Sequence, residues 1–379
     1  MTNGVTFSEE IYHVNRTALG LTLDFSKYTN AAYVFIDKLS YNSTICRKIC
    51  FGRSKAVEAA QAYPPKHITH HPSMNIDPLK VDEFSHSVLA VPPLARRADL
   101  SLDDAQNRKL IKHIEAGGFR TLLYGGNANL YHTSIRDYAH LLEQLAADAA
   151  DTTRVIPAIG PDFGKMMDQA QLLKGTGYRT AMVLPMQGFT TPEGVATGIS
   201  KFVDTAGIPV TLYIKSEQYV DIETLGRLVD EGRIIAVKYA IVRDEPANDP
   251  YLQALIDRIT AAKIVSGMGE RPTLVHLARF GLASYTTGSG CIAPKASMAL
   301  LQALKQNDTA RAQAIHARFL PLETLRDSIS LIRVLHDAVT LCGVADMGAH
   351  LPLLSASPAN RHAEIKVAAE VLLAYEQSC

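Results

Sequence analysis

The chain has 379 residues, and its 38 basic and 38 acidic side chains leave no formal net charge. This balance excludes the strongly basic surface typical of proteins that bind nucleic acid or anionic membranes, so we expect neither as a partner. Hydrophobic residues make up 47% of the chain, enough for a large core, yet no apolar run is long enough to cross a membrane. Five scattered cysteines and the lack of a signal-peptide pattern predict a cytoplasmic location.

Residues 1–85 form a predicted N-terminal extension that differs in composition from the rest of the chain. Asparagine and tyrosine are frequent there, and hydrophobic periodicity is poor. His67, His70 and His71 lie among prolines at a spacing that matches no known metal site, so an irregular polar segment is favoured over a metal site. We predict neither a metal nor a cofactor. Met74 directly precedes the regularly patterned region, and one hypothesis is that the native chain starts there.

From residue 87 onward, short apolar runs alternate with segments of helical periodicity. Eight such strand–helix units in this length imply a parallel sheet closed into an α/β fold, the (β/α)8 TIM barrel, over residues 86–307. The glycine fingerprint of a dinucleotide-binding fold is missing after the first strand. Residues 308–379 are predicted to form a C-terminal helical extension, with helices at 309–328, 329–342 and 359–375. The predicted strands are 87–92, 120–124, 154–159, 180–185, 210–214, 234–238, 263–266 and 282–286, and the predicted barrel helices are 102–116, 134–149, 165–175, 192–206, 222–231, 250–261, 271–281 and 294–305.

The sixth predicted strand carries the side chain with the most distinctive chemistry. Four apolar residues, 234–237, are followed by Lys238 at the carboxyl end of the strand. Burial there would disfavour the ammonium form and lower the pKa, which would give a free amine that can attack a ketone and form a Schiff base. On this stretch alone, a strand-end lysine that extends into water is the simpler interpretation.

In a barrel of this kind, the active site lies at the carboxyl ends of the strands. Tyr213 ends the fifth predicted strand and is expected beside Lys238, where a phenol can relay protons, although tyrosine is also a common strand residue. Glycine-rich loops follow several strands, and their backbone N–H groups can bind a carboxylate. No strand end carries the acidic and histidine ligands of a metal-dependent barrel. The candidate substrate-binding residues at these ends are Gly126, Asn127, Gln187, Ser266, Gly267 and Ser289.

Seven stretches in one order resemble the dihydrodipicolinate synthase/N-acetylneuraminate lyase family of class I Schiff-base lyases. They are SVLAVPPL, AGGFRTLLYGGNANLYH, RVIPAIG, PVTLY, IIAVK, IVSGMGE and TTGSGCIAP, and the likeness spans residues 87–376. The resemblance implies that Lys238 is the lysine that condenses with pyruvate or another 2-oxo acid, and that Tyr213 is the tyrosine beside it. It also implies that Gly126 and Asn127 bind the carboxylate of the keto acid, and that the protein is a homodimer or homotetramer.

Several positions depart from the family pattern. Gly126 and Asn127 replace both threonines of the Gly-Thr-Thr-Gly-Glu loop, and Asn129 replaces its glutamate. Residues 185–187, Pro-Met-Gln, stand where the synthases have Pro-Tyr-Tyr, so the second tyrosine of their proton relay is missing. The arginine that holds the second substrate's carboxylate is also absent from the loop after Tyr213.

These departures leave three hypotheses open. The first is a dihydrodipicolinate synthase-like lyase or aldolase that forms a lysine Schiff base with a 2-oxo acid. The second is a sugar-acid dehydratase or a hydroxy-oxo-acid aldolase on the same scaffold, which the altered relay favours. The third is a barrel that binds a small acid without turnover, because fold does not fix function. Lys215 or Arg243 is a candidate for holding a second substrate anion, with a surface role as the alternative.

Overall fold

The computed structural model describes residues 73–80 and 82–379. The chain divides into two compact units, Met1–Pro64 and Pro65–Cys379, and every described residue belongs to the second. The predictions about His67, His70 and His71 therefore lie outside the described residues. So do those about the irregular structure of residues 1–72.

In the described part of the chain, eight parallel strands close into a barrel in chain order, with the last strand paired to the first. This confirms the predicted (β/α)8 barrel. Nearly every strand residue is buried, because helices cover the outside and side chains fill the inside, and such strands read as short continuous apolar runs. The strands are β1 Leu89–Ala90, β2 Thr121–Tyr124, β3 Arg154–Ile159, β4 Ala181–Val183, β5 Val210–Ile214, β6 Ile234–Tyr239, β7 Ile264–Ser266 and β8 Ser284–Thr287.

Six of the eight helices that follow a barrel strand begin where a side chain accepts a backbone N–H of the first turn. Asp103 accepts the N–H of Gln106, so the helix after β1 begins at Asp104 rather than at residue 102 as predicted. Asp162 caps the helix after β3 in the same way, and that helix begins two residues before its predicted start. The helices are α1 Glu83–His86, α2 Asp104–Ala116, α3 Ile135–Asp148, α4 Phe163–Leu173, α5 Pro192–Ala206, α6 Ile222–Asp230, α7 Pro250–Ile259, α8 Thr273–Ala278 and α9 Pro294–Lys305.

Three further helices confirm the predicted C-terminal extension: α10 Thr309–Ile329, α11 Leu331–Leu341 and α12 His362–Ser378. Helix α10 packs against α9 and α12, and α11 packs against α10 and α12. Ser330 separates α10 from α11, because its extended backbone ends one helix and its side chain caps the next by accepting the N–H of Arg333. None of the helices in residues 73–80 and 82–379 has the length and apolarity needed to cross a membrane.

The described part of the predicted N-terminal extension contacts the barrel. Met74 is 3% exposed, and Arg154, at the start of β3, donates hydrogen bonds to the carboxylate of Glu83 (2.9 Å) and to the carbonyl of Asp77 (3.0 Å). These contacts lie at the amino end of β3, away from the carboxyl ends of the strands. The predicted boundaries after residues 85 and 307, and a native start at Met74, stay predictions.

Candidate active site

A cavity of about 560 Å³ opens at the carboxyl ends of the strands. Residues at or just after the carboxyl ends of β1, β2, β5, β6, β7 and β8 contribute to its wall, and the junction of α10 and α11 contributes the rest. The barrel therefore supplies one part of the wall and the C-terminal helices supply another. Its lining residues are Val91, Gly126, Asn127, Tyr131, Tyr213, Lys215, Lys238, Ala240, Val242, Arg243, Pro246, Gly267, Met268, Gly269, Arg271, Pro272, Thr286, Gly288, Arg326, Asp327, Leu331 and Ile332.

Lys238 and Tyr213 lie side by side in this cavity. Strands β5 and β6 pair in parallel with Tyr213 opposite Lys238, so both side chains leave the sheet at the same level. The Nζ atom of Lys238 lies 3.8 Å from the centre of the Tyr213 ring, and Lys238 is only 5% exposed. The structure thus brings together the two residues that the sequence analysis predicted as neighbours.

The surroundings of Lys238 favour its uncharged form. Burial lowers the pKa of Lys238 to about 7, and the positive charges of Lys215 and Arg326 act in the same direction. The face of the Tyr213 ring attracts an ammonium group and opposes these effects. Burial also raises the pKa of the Tyr213 phenol above its ordinary value, with a further contribution from Tyr131. At neutral pH the cavity therefore holds a partly free amine beside a protonated phenol.

The loop after β2 presents backbone to the cavity. Asn129 adopts a left-handed conformation (φ 53°), and its N–H donates to the carbonyl of Gly126 (2.9 Å), which closes a tight turn. The side-chain amide of Asn127 donates to the carbonyl of Val91 (2.7 Å) and ties the loop to the end of β1. The described residues provide no acceptor for the N–H groups of Gly126 and Asn127, so both can donate to a bound anion.

Comparison with known proteins identifies the family of the chain. The sequence model of the Dihydrodipicolinate synthetase family matches residues 88–370, which is well over half of the chain. The chain belongs to the dihydrodipicolinate synthetase family. The match covers the whole barrel and most of the C-terminal helices, so it includes every wall residue of the cavity.

The individual relatives are distant. The 4-hydroxy-tetrahydrodipicolinate synthase 2 of Streptomyces coelicolor is 23% identical over 278 residues, which cover 71% of this chain and 88% of that protein. The structure of dihydrodipicolinate synthase from Bacillus clausii gives a TM-score of 0.66 at 19% identity, covering 79% of this chain and all of the other. A catalytic-lysine mutant of Ruminococcus gnavus sialic acid aldolase gives 0.68 at 14% identity, covering 78% of this chain and 98% of the other. Likeness at this level shows the fold, and the family is one of aldolase-like lyases.

Three predicted substrate-binding side chains do not reach the cavity wall. Gln187 is exposed in the loop after β4. The hydroxyl of Ser266 shares a hydrogen bond with Nδ1 of His276 (2.8 Å), and that of Ser289 donates to the carboxylate of Glu323. Short buried hydroxyls satisfy their hydrogen bonds within the protein, which turns both serines away from the cavity. Gly267 does line the cavity, as do Gly126 and Asn127.

The glycines after β7 and β8 have a different use from the one that their sequence suggested. A Cβ atom at Gly288 would lie 2.6 Å from Nη2 of Arg326, and one at Gly269 would lie 2.5 Å from a carboxylate oxygen of Glu323. These glycines make room for a buried ion pair, in which Nη1 of Arg326 donates to Glu323 at 2.6 Å. The loop at Gly126, where two N–H groups lack acceptors among the described residues, keeps a geometry that fits carboxylate binding.

The sequence analysis did not single out Tyr131 and Arg326, two residues of the cavity wall that can contact a ligand. Tyr131 brings a second phenol into the cavity, and its ring lies 4.0 Å from where a Cβ atom at Gly126 would stand, beside the position of the family's missing threonine. The signal available in the sequence was that Tyr131 lies two residues after the loop of residues 125–129. Arg326 lies on α10, outside the barrel, and no motif in the chain marks it. Within the described residues, no group of three or more His, Cys, Asp or Glu side chains is placed to hold a metal ion.

Proposed function

We propose that this protein is a class I lyase or aldolase that forms a Schiff base between Lys238 and pyruvate or a related 2-oxo acid. The observation that carries the proposal is the amine of Lys238. It is 5% exposed, it lies in a cavity at the carboxyl ends of the strands, and its pKa is lowered to about 7. The comparison supports this assignment, since one structure that shares the fold is a catalytic lysine mutant of Ruminococcus gnavus sialic acid aldolase.

The first step follows from the geometry of the wall. The carboxylate of the 2-oxo acid accepts hydrogen bonds from the N–H groups of Gly126 and Asn127, which holds the ketone in the cavity. The free amine of Lys238 forms a bond to the ketone carbon, and its proton passes to the oxygen. The phenol of Tyr213 donates a second proton, so that the oxygen leaves as water and a protonated imine remains.

The protonated imine then withdraws electrons from the neighbouring carbon, so a bond next to that carbon can form or break. A dihydrodipicolinate synthase-like condensation requires further hydroxyls for proton transfer. Gln187 lies where the synthases have a tyrosine, and it is exposed outside the cavity. This observation favours a second candidate reaction on the same imine, either sugar-acid dehydration or hydroxy-oxo-acid cleavage. Tyr131 is the further phenol available to either reaction.

Reduction with borohydride in the presence of pyruvate tests the imine. Mass spectrometry should locate one stable adduct on the peptide that contains Lys238. The Lys238→Met variant should lack the adduct, whereas Lys109→Met, which removes an exposed lysine of α2, should keep it. A panel of 2-oxo acids that gives tight binding but no adduct would instead support the third hypothesis, a binding barrel without turnover.

Coupled assays separate the two catalytic candidates. Pyruvate release from hydroxy-oxo acids, or water loss from sugar acids, identifies an aldolase or a dehydratase, whereas consumption of aspartate semialdehyde with pyruvate identifies a synthase. We expect the first pattern. A homodimer or homotetramer in the cytoplasm, without cofactor or metal, remains part of this proposal.

A further inference from the structure

The charged side chains on the cavity wall are mostly cationic. Among the described residues, the wall carries five basic side chains and one acidic side chain, Asp327. The basic ones are Lys215, Lys238, Arg243, Arg271 and Arg326. Their partners decide which of them can bind a ligand.

Three of these cations, Arg243, Arg271 and Arg326, are already paired with carboxylates. Arg243 donates to the carboxylates of Asp249 (2.9 Å) and Glu217, and Arg271 donates to Asp327. A ligand would have to compete with these carboxylates for either guanidinium. Both pairs therefore contribute little free positive charge to the cavity.

Lys215 and Arg326 each keep a donor at the cavity wall that has no acceptor in the described part of the chain. Lys215 is exposed at the mouth, and no carboxylate in the described part of the chain lies within ion-pair distance of it. Arg326 is 4% exposed; its Nη1 donates to Glu323 and its Nε to the carbonyl of Leu331 (3.3 Å). Its Nη2 group has no acceptor among residues 73–80 and 82–379, and it packs against Gly288 on the wall.

These two cations flank Lys238. Lys215 follows β5, on one side of β6, and Arg326 lies over Gly288, which follows β8 on the other side. The positive charge of each acts on the Lys238 amine, so both lie within electrostatic reach of it. A substrate bound covalently to Lys238 would therefore lie close to Lys215, to Arg326 or to both.

We propose that Lys215 and the Nη2 group of Arg326 form an acid-binding subsite beside Lys238, so that the substrate is a 2-oxo acid with a second acidic group. This proposal rests on the imine proposed above. Protonated imine formation places one positive charge at Lys238, and Lys215 adds another that has no carboxylate within ion-pair distance among residues 73–80 and 82–379. Two carboxylates on the substrate can pair with both charges, whereas a monoacid can pair with only one of them, so the diacid gains one more charge-assisted interaction.

The C-terminal helices hold Arg326 in place for this role. The Ser289 hydroxyl donates to Glu323, and Glu323 in turn accepts from Nη1 of Arg326. Gly288 leaves the space that the guanidinium occupies. Helix α10 thus contributes a specificity-determining side chain to a cavity whose reacting amine comes from the barrel.

Matched pairs of 2-oxo acids test the subsite directly. Within each pair the chain length is the same, and only the second carboxylate differs: 2-oxoglutarate with 2-oxopentanoate, and 2-oxoadipate with 2-oxohexanoate. The readout is the acid concentration that gives half-maximal borohydride-trapped adduct on Lys238. In at least one pair the diacid should reach this point at about tenfold lower concentration, the size expected for one charge-assisted hydrogen bond.

Variants assign the preference to residues. Lys215→Met and Arg326→Lys should each reduce the diacid preference several-fold, while Lys109→Met should leave it unchanged. Arg326→Lys keeps a cation for Glu323 but lacks the Nη2 donor, and a circular dichroism spectrum and thermal unfolding midpoint equal to those of the wild type show that the variant is folded. Equal trapping of diacid and monoacid in both pairs would overturn the subsite alone. If no acid forms an adduct with the wild-type protein, the imine itself fails, and this proposal fails with it.

Discussion

The two sides of the cavity use similar sequence features in different ways. On the β2 side, Gly126 belongs to a loop on the cavity wall whose N–H groups at Gly126 and Asn127 have no acceptor among the described residues. On the β8 side, Gly288 belongs to an equally glycine-rich loop, but its missing side chain leaves space for Arg326. A glycine in a loop can therefore expose backbone to a ligand or admit a side chain from elsewhere. Only the packing of the C-terminal helices distinguishes the two.

The largest expected effect concerns the chemistry on the β5–β6 side. Tyr213→Phe keeps the ring beside Lys238 but removes the phenolic proton, so turnover and the rate of imine formation should fall about a hundredfold. Tyr131→Phe should cause a smaller loss, since Tyr131 has no strand partner that places it against the amine. Stopped-flow trapping with borohydride measures both rates. Equal rates for Tyr213→Phe and the wild type would mean that the tyrosine only packs.

The two glycines give the next effect, on stability. Gly288→Ala places a methyl group against the buried guanidinium of Arg326, and it should lower the free energy of unfolding by about 2 kcal/mol. Gly288 has an ordinary right-handed backbone, so the cost is steric. Gly126→Ala meets only the Tyr131 ring at 4.0 Å, and it should cost less than about 1 kcal/mol.

Urea unfolding followed by circular dichroism measures both differences. Gly126→Ala should also weaken binding of the 2-oxo acid, whereas the main effect of Gly288→Ala should be on stability. If both substitutions lower the free energy of unfolding by the same amount, the proposed difference between the two loops is wrong.

The barrel was predictable from the sequence because most of its strands are short apolar runs and most of its helices begin at recognisable caps. Lys238 stood out because a charged residue ends the apolar run of β6, and Tyr213 followed from parallel pairing. Arg326 could not be predicted, since its position depends on how α10 packs across the mouth of the barrel. Ser266 was misleading for a related reason, because its partner His276 comes from the following helix.

The smallest expected effect links the subsite to the amine. Lys215→Met removes a positive charge near Lys238, which makes protonation of the amine easier and raises its pKa. The midpoint of the pH–rate curve for imine formation should therefore move to higher pH. Lys215→Arg keeps the charge and should leave the midpoint in place. A downward shift in Lys215→Met would contradict the electrostatic role of this lysine.

The most direct test of the central claim is the pH dependence of imine formation at Lys238 in the wild-type protein. The free amine is the nucleophile, so the trapping rate with pyruvate should rise with pH and level off above the pKa of the amine. We expect a midpoint near pH 7, with the adduct mapped to Lys238 by mass spectrometry. A rate that keeps rising toward the ordinary lysine value of 10.5 would show an amine in water and would contradict the account.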